Sequence, residues 1–248
     1  MSGEFAARVV LVTGASRGLG RATAKEFLAR GASVAVHART AERAHALEGE
    51  LGQGAYGVHG DLRHFGDARG LVQRTVDHFG RLDVLVNNAA VAYSSALAEI
   101  PEHEWRETLD VNLSAAFFCL QAAIPVMTEQ KFGRIVNVSS TAGRSVSTLA
   151  GAHYTASKAG LIGLTRHSAR ELGPLGITVN AICPGLFDTE LARANATDER
   201  LETLQRNFPV RRLGRPEEVA ALICFVASEM AGYVNGAALD INGGSLML

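Results

Sequence analysis

Val9-Val10-Leu11-Val12-Thr13-Gly14-Ala15-Ser16-Arg17-Gly18-Leu19-Gly20 is a β-branched run followed at once by three spaced glycines. Branched side chains favour extended backbone, so residues 9–13 read as a strand. Residues 21–30 then show helical patterning, with Thr23 and Phe27 on one face and Leu19 one turn before them. Residues 32–38 read as a second strand, which completes a βαβ unit. Gly14 permits a tight turn that a Cβ would obstruct. Gly18 and Gly20 let a pyrophosphate approach the helix N-terminus, whose unpaired N–H groups favour negative charge. The spacing is G-x-x-x-G-x-G rather than G-x-G-x-x-G. In this strand–helix setting it reads as a dinucleotide-binding loop.

The alternation continues outward to the end of the chain. Strands are expected at 9–13, 33–38, 55–59, 84–87, 134–139, 178–182 and 237–241, with helical patterns between them. Leu71, Val72, Thr75, Val76 and Phe79 repeat at helix spacing, as do Trp105, Leu109, Leu113, Phe117 and Leu120. Pro216 with Glu217 and Glu218 reads as a helix first turn that sends Val219, Leu222, Ile223 and Val226 inward. Near-continuous apolar strands separated by helices imply a parallel sheet covered on both faces. Right-handed crossovers then give an α/β, doubly wound, seven-stranded fold whose ligands bind beyond the carboxyl ends of the strands. Gly14, Asp61, Asn87–Ala90, Ser140 and Pro184 all fall at that edge.

Composition narrows the classes. The 248 residues carry no linker or low-complexity tract and read as one domain. An apolar fraction of 47% supplies an ample core. A net charge of −1, with both signs mixed, gives no nucleic-acid arm and no polybasic membrane patch. No apolar run approaches the ~20 residues of a bilayer span, and the first residues lack the features of a secretion signal. Cys119, Cys183 and Cys224 are far apart and read as reduced thiols, which points to the cytoplasm. The histidines show no ligand spacing, so no catalytic metal is expected.

Tyr154 and Lys158 lie four apart in Tyr154-Thr155-Ala156-Ser157-Lys158, which places phenol and ammonium on one helix face. A tyrosine of pKa about 10 is a poor acid–base group near neutrality, and an adjacent cation lowers that value. Ser140 adds a hydroxyl able to polarise a carbonyl oxygen. Beside a hydride source, the three make a proton donor for reducing a ketone.

Taken together, Thr13-Gly14-x-x-x-Gly18-x-Gly20, Asn87-Asn88-Ala89, Asn112, Ser140, Tyr154-x-x-x-Lys158 and Pro184-Gly185 resemble the short-chain dehydrogenase/reductase family. The resemblance runs nearly end to end and implies a Rossmann fold. Ala90 departs from it, because the family usually has glycine there. By resemblance, Asn112, Ser140, Tyr154 and Lys158 are the catalytic residues. Asn112 would mark a kink and hold a relay water, and Lys158 would also hold the nicotinamide ribose. The implied dinucleotide residues are Gly14, Ser16, Arg17, Gly18, Leu19, Gly20, Arg39, Asp61, Leu62, Asn88, Ala89 and Ala90. Pro184, Gly185 and Thr189 complete that set at the nicotinamide, together with Tyr154 and Lys158. Asp61 is read either as an adenine partner or as an Asx turn before Leu62. Ser139 and Ser140 are alternatives that the following Thr141-Ala142-Gly143 decides for Ser140. A small insertion is expected between Arg144 and Ala152, bordering the substrate.

Residues 186–213 read as a polar, weakly periodic substrate lid. Val91, Tyr93, Val146, Leu149, His153, Phe187 and Leu191 are its largely apolar pocket candidates. The substrate class is a small-molecule carbonyl or alcohol. Similarity is greatest to 3-oxoacyl-acyl-carrier-protein reductases, with polyol, sugar and hydroxysteroid dehydrogenases as alternatives and a non-catalytic dinucleotide sensor as a remote one. Lys131 fits one of two basic positions that carrier-protein reductases place near the mouth, and Leu175 occupies the other. Strand two ends Val36-His37-Ala38-Arg39, with no acid for a ribose 2′-hydroxyl. Arg39 and Arg17 suit a 2′-phosphate, so NADP(H) is expected over NAD(H), which is also accepted. The resemblance further implies pairing through residues 105–130 and 155–173, and the apolar end Leu246-Met247-Leu248 reads as buried against a partner, so a homotetramer is expected with a dimer as the alternative.

Overall fold

The computed structural model describes residues 3–248. Seven parallel strands are ordered β3-β2-β1-β4-β5-β6-β7. They are β1 (Val9–Val12), β2 (Ser33–Ala38), β3 (Ala55–His59), β4 (Val84–Asn87), β5 (Gly133–Val138), β6 (Ile177–Pro184) and β7 (Ala238–Ile241). Each expected strand is present, with ends within two residues. The helices are α1 (Gly18–Ala29), α2 (Ala41–Leu51), α3 (Phe65–Phe79), α4 (Glu102–Leu109), α5 (Ala115–Gln130), α6 (Ala152–Leu172), α7 (Glu190–Asn195), α8 (Asp198–Arg206) and α9 (Pro216–Ala227).

The apolar strands serve both faces because side chains alternate along extended backbone. Val10, Val12, Val34, Val36, Val84 and Val86 pack with Phe27 of α1 and Val219 and Ile223 of α9. Leu11, Ala35, Leu85, Ile135 and Val179 pack on the other face with Leu71 of α3 and Leu120, Ala123 and Met127 of α5. Strand order reverses between β1 and β4, which opens a crevice at their carboxyl ends. Buried amides brace the same edge. Asn87 donates to Asn137 Oδ1 at 2.9 Å, and Asn137 donates to Thr165 Oγ1 at 2.9 Å, tying β4, β5 and α6.

Three expectations change. Residues 186–213 are not a bare loop: α7 and α8 form there, capped by Thr189 and Thr197. The helix-spaced repeat from Trp105 to Leu120 is not one continuous α-helix. A π-turn at Asp110–Ser114 separates α4 from α5, and Ala115, Ala116, Cys119, Leu120, Ala123 and Met127 form the buried side. Trp105 and Phe117 stay 42% and 38% exposed. Finally, the continuous helical rod Glu102–Gln130 is long and apolar enough to cross a bilayer, contrary to the expectation from single runs. Its buried side packs on the sheet as a core helix.

Candidate active site

One large cavity of about 770 Å³ lies along the carboxyl edge. At its β1–β4 end stands the glycine loop. Gly14 has φ +65°, and a Cβ there would come within 2.8 Å of Ala89 Cα. A Cβ on Gly20 would lie 2.3 Å from Gly14 O and 2.4 Å from Asn88 Nδ2. Thr13 Oγ1 accepts from the N–H groups of Asn88 and Ala89 at 2.9 and 3.1 Å. Asn88 Nδ2 donates back to Thr13 O and Gly14 O at 2.9 and 3.1 Å. No side chain caps α1, and its first turn holds no acid. The orphan N–H groups of that turn therefore face the cavity beside Ser16, Arg17, Gly18 and Leu19. This cradle fits a dinucleotide pyrophosphate, whose charge suits the helix N-terminus and whose bulk needs the missing side chains.

The adenosine end is built from three strand ends. Ala38 is buried, whereas Arg39 is exposed and borders the cavity with Arg17. Asp61 does form an Asx turn, its Oδ1 accepting from the Arg63 N–H at 3.1 Å. The same carboxylate pairs with the Arg63 guanidinium, which holds its pKa down at about 2. Any adenine contact by Asp61 is thus shared with Arg63, a cavity residue that the motif pattern did not single out. Leu62 and Ala90 also line the cavity, so the Ala90 methyl belongs to its wall.

The chemical end gathers β5, α6 and the π-turn. Ser139 donates to the Lys158 carbonyl at 2.8 Å and is fully engaged. Ser140 accepts from the Ala142 N–H at 3.0 Å, and its side chain lines the cavity beside Tyr154. Lys158 is buried, donates to Val138 O at 2.8 Å, and has its Nζ 5.6 Å from the Tyr154 ring centroid. Burial lowers the Lys158 pKa to about 8. Burial also raises the Tyr154 pKa, and hydrogen bonding to Ser140 only partly opposes it. The expected lowering of Tyr154 by its lysine is therefore corrected: the ammonium is turned to a carbonyl, and desolvation dominates. The expected kink at Asn112 is the π-turn. Its side chain accepts from the Val91 N–H at 2.8 Å and donates to Val91 O and Ser157 Oγ at 2.9 and 3.1 Å.

Pro184, Gly185 and Thr189 border the cavity beyond β6. Thr189 caps α7 by accepting from the Ala192 N–H at 3.3 Å. Of the pocket candidates, Val91, Val146, Leu149, Phe187 and Leu191 line the cavity. Tyr93 and His153 do not. Tyr93 donates to Glu107 at 2.7 Å, which raises its pKa to about 12, and His153 is buried behind it, ring against ring at 6.0 Å. Residues 145–150 border the cavity, as expected of the loop before α6. Leu204, Phe208 and Leu246 also line it. The first two lacked a sequence signal because the lid helices are short and polar outside. Leu246 turns into the chain's own cavity, while Met247 and Leu248 are 78% and 76% exposed. Lys131 and Leu175 precede β5 and β6, so within this chain they lie at the amino edge, opposite the mouth.

A family model described as enoyl-(acyl carrier protein) reductase matches residues 14–245. The chain belongs to the short-chain dehydrogenase/reductase family. Members of this family are oxidoreductases acting on CH–OH and C=O groups. The 3-oxoacyl-acyl-carrier-protein reductase of Staphylococcus aureus is 39% identical over 241 residues, covering 96% of this chain and 97% of that protein. The protein of the same name from Escherichia coli is 36% identical over 245 residues, covering 99% and 100%. This short-chain dehydrogenase/reductase thus spans its relatives nearly end to end. Because the Gly20 contacts are with backbone and a fixed amide, Gly20→Ala is expected to displace the loop. Dinucleotide affinity, measured by nicotinamide fluorescence, should fall at least about tenfold while the melting profile keeps one transition.

Proposed function

We propose that this chain is a ketoreductase of 3-oxoacyl-thioester-like or other small ketones, with NADPH as the preferred cofactor. The observation that carries the reading is the convergence of Ser140, Tyr154 and Lys158 on one cavity with the glycine cradle. The Ser140 and Tyr154 side chains line the same cavity, which suits a carbonyl oxygen held between two hydroxyls. The apolar walls of Val91, Leu149, Leu191, Leu204 and Phe208 favour a substrate with an apolar portion over a sugar. The chain is proposed to act as a single catalytic unit with residues 186–213 as its lid, and as a homotetramer. The exposed Trp105 and Phe117 on α4 and α5 support assembly through that surface.

The bound dinucleotide supplies the hydride. Tyr154 gives its proton to the substrate oxygen, and Ser140 holds that oxygen as charge develops. A raised phenol pKa keeps Tyr154 protonated at neutral pH, which is the form that reduction consumes. Lys158 keeps a positive charge 5.6 Å from the Tyr154 ring centroid as the phenol gives up its proton. Asn112 fixes the π-turn against α6, so a relay water falls to the backbone carbonyls there, since its side chain is engaged with protein.

A panel of acetoacetyl thioesters, cyclic diketones and sugar alcohols tests the substrate class, and activity confined to sugars would overturn it. Tyr154→Phe should lower turnover about 100-fold or more while binding the dinucleotide nearly as well. The pH profile follows from Lys158: its lowered pKa means the ammonium is present below about 8 and lost above it. Reduction should therefore hold at neutral pH and decline as pH rises through about 8, and an alkaline rise would refute the arrangement. For the cofactor, one charged hydrogen bond contributes about 1.5–3 kcal/mol, tempered by exposure. NADPH should exceed NADH at least about tenfold in kcat/KM, and Arg39→Ala should remove most of the difference. Equal use of the two would show that Arg39 does not read the phosphate.

A further inference from the structure

His37 was not among the motif residues, yet one imidazole joins three segments of the adenosine half. It is 5% exposed, near the end of β2. Its Nδ1 accepts from the Gly14 N–H at 3.0 Å. Its Nε2 lies 2.9 Å from Gly60 O. Its own carbonyl accepts from the Ala15 N–H at 2.9 Å. A backbone N–H only donates and a carbonyl only accepts, so the partners fix the ring as neutral with its proton on Nε2. The glycine loop after β1, the end of β2 and the turn after β3 are thereby clasped together. Gly14, His37, Gly60 and Asp61 all border the cavity.

We propose that His37 is a positioning residue that holds the glycine loop in its dinucleotide-binding shape, and that protonation of the ring opens the clasp. An imidazolium would set an N–H against the Gly14 N–H, donor against donor. This rests on the dinucleotide reading of the cavity, but not on the choice between NADPH and NADH, since the glycine loop serves both.

The direction of the pH effect follows from the surroundings. Burial lowers the His37 pKa from 6.5, the Gly60 carbonyl opposes this, Arg74 adds to the lowering, and Asp61 and Asp67 oppose it. Because the folded value is lowered, the neutral clasp is complete above 6.5 and is lost as pH falls through the lower folded value. Cofactor affinity is therefore constant above that point. Below it, affinity falls with a limiting slope of about tenfold per pH unit, as for any single linked proton.

The test measures the Kd of NADH and NADPH by nicotinamide fluorescence from about pH 8 to about pH 5. NADH has no 2′-phosphate, so its loss in acid cannot come from phosphate ionisation. Two isosteres separate the two bonds. In His37→Asn the side-chain oxygen takes the Nδ1 place and accepts from Gly14 without titrating. In His37→Gln the amide nitrogen takes the Nε2 place and leaves Gly14 without its acceptor. The wild-type protein should lose affinity for both nucleotides in acid. The Asn variant should bind within about threefold of wild type at pH 8 and lack the acid loss. The Gln variant should bind roughly three- to tenfold more weakly at every pH. Ring nitrogen NMR of the cofactor-free wild-type protein should show the Nε2–H tautomer, independent of any variant's folding. A flat NADH profile in the wild type, equal losses in the two variants, or a proton on Nδ1 would overturn the proposal. Equal affinity for NADH and NADPH at pH 8, with both lost in acid, would remove the 2′-phosphate reading and support the clasp.

Discussion

The carboxyl edge of the sheet hangs on the hydrogen bonds between Thr13 and Asn88. They join the ends of β1 and β4, where the crossovers leave in opposite directions and the sheet would otherwise splay. Thr13 Oγ1 takes two backbone N–H groups, and the Asn88 amide returns two bonds to backbone carbonyls. Each such bond contributes about 1 kcal/mol net, but leaving its buried partner unmet costs more. The geometry they fix is tight enough that Gly14 and Gly20 have no room for a side chain. A phosphate-sized space beside an uncapped helix is the result.

The chemical half is held in the same manner, by polar side chains bonded to backbone. Ser139 grips the Lys158 carbonyl, Lys158 grips Val138 O, and Asn137 grips Thr165. Three contacts thus fasten α6 to β5, and Asn112 adds a fourth through Ser157. Tyr154 rides on this anchored helix, so its hydroxyl is placed before any substrate arrives. Positioning of this kind removes reorganisation from the reaction itself.

The strands, the glycine cradle and the Ser140–Tyr154–Lys158 set were legible because each is written in local pattern. Apolar runs of strand length, glycines after them and a four-residue helix spacing need no knowledge of distant chain. What was not legible depends on where side chains turn once the chain is folded. The Tyr154 pKa is set by burial and by where Lys158 points, and neither follows from spacing. The carboxylate of Asp61 is taken by Arg63, two residues on, because the turn folds the guanidinium back. Tyr93 leaves the pocket because Glu107 takes its hydroxyl, and His153 is buried behind the Tyr93 ring. His37 carried no signal, since a lone histidine in an apolar strand gives no hint of what its nitrogens will meet. The buried face of α5 could not be read from the repeat, because a π-turn precedes it and an apolar repeat counted across the turn loses its phase.

That π-turn makes the rod from Glu102 to Gln130 behave like a shaft with a fixed angular offset. A π-turn accommodates one residue more than an α-turn, and in a helix of ~3.6 residues per turn one residue is about 100° of rotation. The offset is pinned on one side by Asn112 at Val91 and Ser157, and on the other by Cys119, Leu120, Ala123 and Met127 against the sheet. Removing a single residue between them would leave both ends anchored but out of angular register. The rod would then have to turn Met127 out of the core or pull Asn112 away from the site. Length is therefore rigidly set in this short stretch of helix, whereas residues 145–150 border the cavity as an open loop where a residue more or less shifts only the rim.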